Sequence, residues 1–113
     1  MSAQDRRDLL PGTLEMLVLQ TLLRGPLHGY AIAQYIQRVS DDLLQVEEGS
    51  LYPALQRLLR EGWVTAEWGV SARNRKVRTY RITPSGHAQL EREVSSFERL
   101  MKGITQVMKP AAS

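Results

Sequence analysis

The stretch from Glu48 to Gly62 constrains the fold more than any other part of the sequence. Leu51, Ala54, Leu55, Leu58 and Leu59 recur at spacings of three and four, which lays one apolar stripe along a helix. Gly49-Ser50 is expected to supply the N-cap, and Pro53 to fall in the first turn, where amides have no intrahelical partner. Gly62 then ends the helix at the position where a left-handed residue costs least. The opposite face carries Ser50, Pro53, Gln56, Arg57 and Arg60, with Tyr52 at its shoulder. A face so polar, cationic and rich in donors has two readings: a solvated helix surface, or a helix that enters a DNA major groove. The rest of the chain decides between them.

Size and composition bound the choices. At 113 residues the chain is one domain, large enough for a single core. Its 42% hydrophobic and 24% charged residues are the balance of a folded soluble protein. No apolar run approaches the length of a membrane span, and Met1 to Asp8 lacks the apolar segment of a signal peptide, so a cytoplasmic location is expected. The absence of cysteine excludes disulfides, thiol nucleophiles and thiolate metal sites. A net charge of +3 is too small to identify a nucleic-acid binder, which leaves the distribution of the charges to do so.

Taken in order, Pro11-Gly12-Thr13 opens a first helix from Leu14 to Arg24. Leu14, Met16, Leu17, Val18, Leu19, Leu22 and Leu23 make it apolar nearly all round, so burial on more than one side is expected. Gly25-Pro26 ends it, Leu27-His28-Gly29 reads as a tight joint, and Tyr30 to Val39 forms a second helix with Ile32, Tyr35, Ile36 and Val39 inward. Leu43 to Val46 reads as a bridge with one strand-like residue pair. Two helices, a joint and a third helix with a cationic face follow helix-turn-helix order. A hairpin comes next: alternation over Trp63–Trp68 and Arg78–Thr83 marks two strands, broken by Gly69 to Ala72. Between them and into the second strand, five of the nine residues from Arg73 to Arg81 are cationic, the densest positive segment of the chain.

Thr83-Pro84-Ser85-Gly86 starts the last helix, a threonine or serine cap with proline just inside. Leu90, Val94, Phe97, Met101, Ile104 and Met108 then recur at alternating spacings of four and three, a heptad seam that Leu100 and Val107 widen. Pro110 ends the helix ahead of a short tail. The expected fold is therefore mainly α with a small β-hairpin: a winged helix-turn-helix over residues 1–83, a dimerisation helix over 84–109 and a tail over 110–113.

A flexible basic tip that follows a cationic third helix suits DNA, because phosphates attract arginine and lysine whatever the base sequence. The candidate contacts are Ser50, Tyr52, Pro53, Gln56, Arg57 and Arg60 on the helix, with Arg73, Asn74, Arg75, Lys76 and Arg78 on the wing. Arg57 and Arg60 suit either guanine edges or phosphates, and sequence leaves both roles open. The seam residues Leu90, Val94, Phe97, Leu100, Met101, Ile104, Val107 and Met108 suit a second copy of the chain, with packing on the first helix as the competing reading. Both can hold, and Leu9 and Leu10 ahead of the first helix add to the surface offered to a partner. No metal, cofactor or catalytic set is read: His28 and His87 stand alone as packing or capping residues, Glu47-Glu48 suits a helix start, and Trp63 and Trp68 suit the core and the wing base.

Pro11-Gly12-Thr13-Leu14, His28-Gly29-Tyr30, Glu48 through Leu55, and Tyr80-Arg81-Ile82-Thr83 with Gly86 resemble the PadR family of bacterial transcriptional regulators. The likeness covers nearly the whole chain and is to the branch with a single C-terminal helix. It implies a homodimeric repressor on an inverted-repeat operator, often at its own promoter or beside transport or stress genes. It implies DNA contacts from Ser50, Tyr52, Arg57, Arg73, Asn74, Arg75 and Lys76. Some members release DNA when a flat aromatic compound enters a cleft between the two C-terminal helices, which can carry a tryptophan. Here that helix has only Phe97, so the small-molecule effector is left open. The alternative to a DNA-binding regulator is a winged-helix module that binds a protein through the same face. The wing separates the two, since protein interfaces are depleted in lysine and gain little from exposed cations.

Overall fold

The computed structural model describes residues 12–110, so the readings placed on Leu9, Leu10, Pro11 and the tail Ala111-Ala112-Ser113 lie outside the described residues. The elements run α1 (Thr13–Leu22), β1 (Leu27–His28), α2 (Gly29–Val39), α3 (Glu48–Arg60), β2 (Val64–Val70), β3 (Lys76–Ile82) and α4 (Pro84–Met108). This is the expected fold class, a winged helix-turn-helix followed by one long helix.

The core gathers around α1. Val18 and Leu19 are fully buried there and Leu14, Met16, Thr21 and Leu22 nearly so, as its all-round apolarity predicts. The buried Thr21 hydroxyl donates to the Leu17 carbonyl one turn back (2.7 Å), which satisfies it. Ile32 and Ile36 come in from α2, Leu51, Ala54, Leu55 and Leu58 from α3, Val64 and Tyr80 from the sheet. Val39, expected on the inner stripe of α2, is exposed instead. It is the last residue of the helix, and the chain turns away beyond it through left-handed Asp41 and Asp42.

The connection to α3 holds no strand pair at Leu43–Val46; side chains pin it as a series of turns. Ser40 Oγ accepts from the Leu44 amide (3.1 Å), and Gln37 Oε1 accepts from the Val46 amide (3.3 Å). Leu44 and Val46 pack against the core. The cap of α3 is Glu47 rather than Gly49-Ser50: the amides of Ser50 and Leu51 both donate to the Glu47 carbonyl. Pro53 is therefore the sixth helical residue, not a first-turn one, and its missing amide leaves the Gly49 carbonyl without its helical donor. Proline inside a helix costs about 3 kcal/mol. Full burial of Leu51, Leu55 and Leu58, at roughly 1.5–3 kcal/mol each, outweighs that. Gly62 follows the helix at φ 75°, as its place in the sequence predicts.

The sheet has three antiparallel strands in the order β1-β3-β2. Leu27-His28 is thus a strand as well as a joint, with Leu27 opposite Tyr80 and His28 opposite Thr79. The hairpin also reaches further than side-chain alternation indicates, since Gly69 pairs with Val77 and Val70 with Lys76.

At the start of α4 the Thr83 hydroxyl donates to the Gly62 carbonyl (2.8 Å) and accepts from the Gly86 amide (3.0 Å), with Pro84 just inside. A Cβ on Gly86 would overlap the Trp63 carbonyl, so this junction requires glycine. Leu90 is buried in the core and Val94 packs at its margin. Leu90, expected in the subunit seam, belongs to the domain's own core, because the first turns of α4 lie along α1. From Phe97 onward every seam residue is exposed.

Candidate nucleic-acid interface

The burial of Leu51, Ala54, Leu55 and Leu58 turns the opposite ridge of α3 to solvent, where Pro53, Gln56 and Arg60 are exposed. Ser50 shares one flank with Arg57, seven residues on. Arg57 is engaged there: its Nε and Nη2 both donate to Glu15 Oε2, with the arginine half exposed and the glutamate largely covered. That ion pair ties α3 to the first turn of α1 and leaves Arg60 as the outward arginine of the helix.

Tyr52 occupies the other flank, with its ring against buried Gly29. A Cβ on Gly29 would lie 3.4 Å from Tyr52 Cε1. His28 caps α2, its Nδ1 accepting from the Ala31 amide (3.4 Å), which fits the capping role read for it. The His28-Gly29-Tyr30 motif thus starts one helix and seats the tyrosine of the next.

The wing tip is ordered by Ser71. Its amide donates to the Arg75 carbonyl (2.8 Å) and its carbonyl accepts from the Asn74 amide (2.9 Å). Its hydroxyl accepts from the amides of Arg73 (3.3 Å) and Arg75 (3.2 Å). Asn74 takes the left-handed conformation, φ 60°, that asparagine tolerates better than most residues. The result displays Arg73 and Arg75 to solvent on a tight loop.

Behind the tip, Lys76 and Arg78 are not free. Trp68 pairs with Arg78 across the hairpin, and both the Lys76 ammonium (5.4 Å) and the Arg78 guanidinium (5.8 Å) lie over its ring. Arg78 also lies 5.9 Å from the centre of the buried Tyr80 ring. These side chains form one wall of a groove of about 370 Å³, closed by Tyr52 and Gln56 of α3 and by His28, Gly29 and Tyr30. The groove brings Tyr52, Gln56, Lys76 and Arg78 together from the sequence-derived set. Ser50, Pro53, Arg60, Arg73, Asn74 and Arg75 lie outside it. Tyr30 and Trp68, both 62% exposed, are interface candidates that sequence reasoning missed. The hairpin register held a signal for Trp68: a tryptophan on the strand face that carries Lys76 and Arg78.

Residues 18–92 match the PadR-like family of transcriptional regulators. The chain belongs to that family. PadR-like proteins are DNA-binding regulators, not enzymes, and this one has the same winged-helix architecture. An uncharacterized protein of Lysinibacillus sphaericus is 30% identical over 104 residues, covering 92% of this chain and 95% of its own. The structure of a transcriptional regulator from Clostridium thermocellum superimposes with a TM-score of 0.80 at 28% identity, covering 87% of this chain and 92% of that one. Bacillus subtilis PadR, solved in complex with operator DNA, superimposes with a TM-score of 0.66 at 25% identity. That match covers 74% of this chain and 47% of the other, so this chain spans about half the length of the Bacillus protein. The same protein is named as a negative transcriptional regulator and is 27% identical over 77 residues.

Proposed function

We propose that this PadR-like protein is a homodimeric repressor that binds an inverted-repeat operator, at its own promoter or that of neighbouring genes, in the cytoplasm. The observation that carries the reading is the grouping of an exposed ridge on α3 and a basic, ordered wing tip on either side of one groove. A helix of this kind reads base edges in the major groove, and a basic tip holds the flanking backbone. Ser50, Tyr52, Pro53, Gln56 and Arg60 meet the major groove in this reading, Arg60 being the arginine free to reach a guanine. Arg73, Asn74, Arg75, Lys76 and Arg78 meet phosphates, and Arg57 braces the helix from its flank through Glu15. The negative sign of regulation is supported by the name of the Bacillus subtilis relative. Dimerisation is supported by the bare second half of α4, where Phe97, Leu100, Met101, Ile104, Val107 and Met108 are all exposed. A two-fold dimer sets its two α3 helices about one DNA turn, roughly 34 Å, apart. An effector that releases DNA has to bind the two spacings of those helices unequally.

The test is fluorescence anisotropy with labelled DNA from upstream of the protein's own gene, at two salt concentrations, against a scrambled competitor. Salt-sensitive binding that survives the competitor is the expected result. Weak binding that is indifferent to sequence, repeated across fragments selected genome-wide, would overturn it in favour of a protein partner on the same face.

A further inference from the structure

Away from α3 and the wing, two arginines share one aromatic ring. The Arg24 guanidinium lies 5.1 Å and the Arg38 guanidinium 5.6 Å from the centre of the Tyr35 ring. Arg24 follows α1 and Arg38 is in the last turn of α2, so each also complements the carbonyl end of a helix. Neither reason accounts for bringing two like charges to one place, where they repel. Both arginines are exposed, and the one ion pair among the described residues is that of Arg57 with Glu15. Stacking fixes the plane of a guanidinium and leaves the fork at its edge free to hold an oxyanion through two parallel hydrogen bonds.

The two arginines border a depression of about 590 Å³, within the range of small-ligand sites. No residue of α3, β2 or β3 lines it. Pro26, Leu27 and Ala31 give it an apolar part, and Gln34, Gln37 and Asp42 add polar groups beside the arginines. A bare anion would gain nothing from the apolar part and would be repelled by Asp42. A ligand that is anionic at one end and hydroxylated at the other uses both, with its hydroxyls donating to the Asp42 carboxylate. A phosphate monoester carries nearly two negative charges near neutral pH and three acceptor oxygens, which suits two guanidinium forks.

We propose that this depression binds a small hydroxylated phosphate monoester, with Arg24 and Arg38 as the oxyanion donors and Tyr35 as the residue that positions them. The site also has a route to α3. Gln37 lines the depression and holds the connection between α2 and α3, its Oε1 accepting from the Val46 amide (3.3 Å) directly before the Glu47 cap. A ligand that engages Gln37 changes that hold, and by reciprocity bound DNA changes the affinity for the ligand. Binding of the ester is independent of the DNA reading; only this coupling rests on it.

The test is calorimetric titration of the full chain, in phosphate-free buffer, with ribose 5-phosphate and adenosine monophosphate. Ribose, inorganic phosphate and succinate are titrated alongside. Saturable binding of at least one ester is expected, with ribose silent and inorganic phosphate weaker than the ester. Arg24→Gln and Arg38→Gln should each weaken binding about tenfold or more. Arg24→Lys keeps the charge but loses the fork, and should weaken it as well. Both positions are exposed, so wild-type thermal melts are expected and separate lost binding from lost folding. No saturable response to either ester, or a response unchanged in Arg24→Gln and Arg38→Gln, overturns the proposal. A preference for succinate overturns it in favour of a dicarboxylate site. A flatter salt dependence of DNA binding in Arg24→Gln, with no ester bound by the wild-type protein, gives the arginines to DNA instead. The coupling is read separately, as a shift of the DNA anisotropy midpoint on adding the ester; an unmoved midpoint removes the link through Gln37 and leaves the site. If the wild-type protein binds no DNA specifically, the DNA reading fails, and the calorimetry still decides the site.

Discussion

Gly86 and Arg57 show how single side chains fix this fold. Gly86 sits in the first turn of α4 directly under the Trp63 carbonyl, where backbone rather than a flexible side chain would have to move for a Cβ. Gly86→Ala is expected to cost about 2–3 kcal/mol, read as a lowered urea midpoint with an unchanged slope. Gly103, also in α4, has open space around its missing Cβ, and Gly103→Ala should raise stability by up to about 1 kcal/mol through helix propensity. Equal behaviour of the two variants would show that the close approach at Gly86 is not a constraint. Arg57 makes a different kind of contact, a partly exposed ion pair with Glu15. A double-mutant cycle on Glu15→Gln and Arg57→Ala is expected to give a coupling of about 0.5–1 kcal/mol in stability. Arg57→Ala should weaken binding to all DNA sequences by one common factor. Relaxed discrimination at a single base pair would instead make Arg57 a reader of that base.

Among the elements, the wing separates attraction from reading. Arg73→Ala with Arg75→Ala removes two exposed cations from a loop whose shape is set by Ser71 and Asn74, so the fold should be untouched. The expected outcome is a salt slope flatter by about 3.6, four phosphate contacts per dimer, with unchanged preference for the operator over scrambled DNA; a changed preference would mean that the tip reads sequence. The wing also shows why some elements were legible in the sequence and others were not. Its arginines, the apolar stripe of α3 and the Thr83 cap are local patterns, visible without knowing what packs on what. β1 was not visible, because two residues carry no periodicity and become a strand only when Thr79 and Tyr80 arrive from far along the chain. The early start of α3 was hidden by turn-forming Gly49 and Ser50, whose preference is overridden by the buried leucines of the same helix. Arg57 and Arg78 were legible as cations but not as partners. What decides their roles, Glu15 for one and Trp68 with Tyr80 for the other, lies on different elements.

For the molecule as a whole, the deciding feature is that α4 outruns its own core. It is 25 residues long, about 37 Å, and only its first turns are covered by α1. Beyond Val94 the described residues cover the seam less and less: Phe97 is 39% exposed, Val107 81% and Met108 74%. A stripe of this kind on a lone chain invites aggregation, whereas a second copy would cover it with the same patch. The same pairing would turn two weak half-site contacts into one strong one, since the second α3 then searches only the DNA beside the first. Met101→Glu and Ile104→Glu place a charge in the uncovered half of the seam, away from the core residues Leu90 and Val94. Each should sediment as a monomer with its thermal unfolding still cooperative. Affinity for the full operator should fall by about 100-fold or more, while affinity for DNA carrying a single half-site stays at the wild-type value. If a variant remains a dimer, α4 is not the interface. If it becomes a monomer and keeps full operator affinity, pairing is not what gives the protein its grip on DNA.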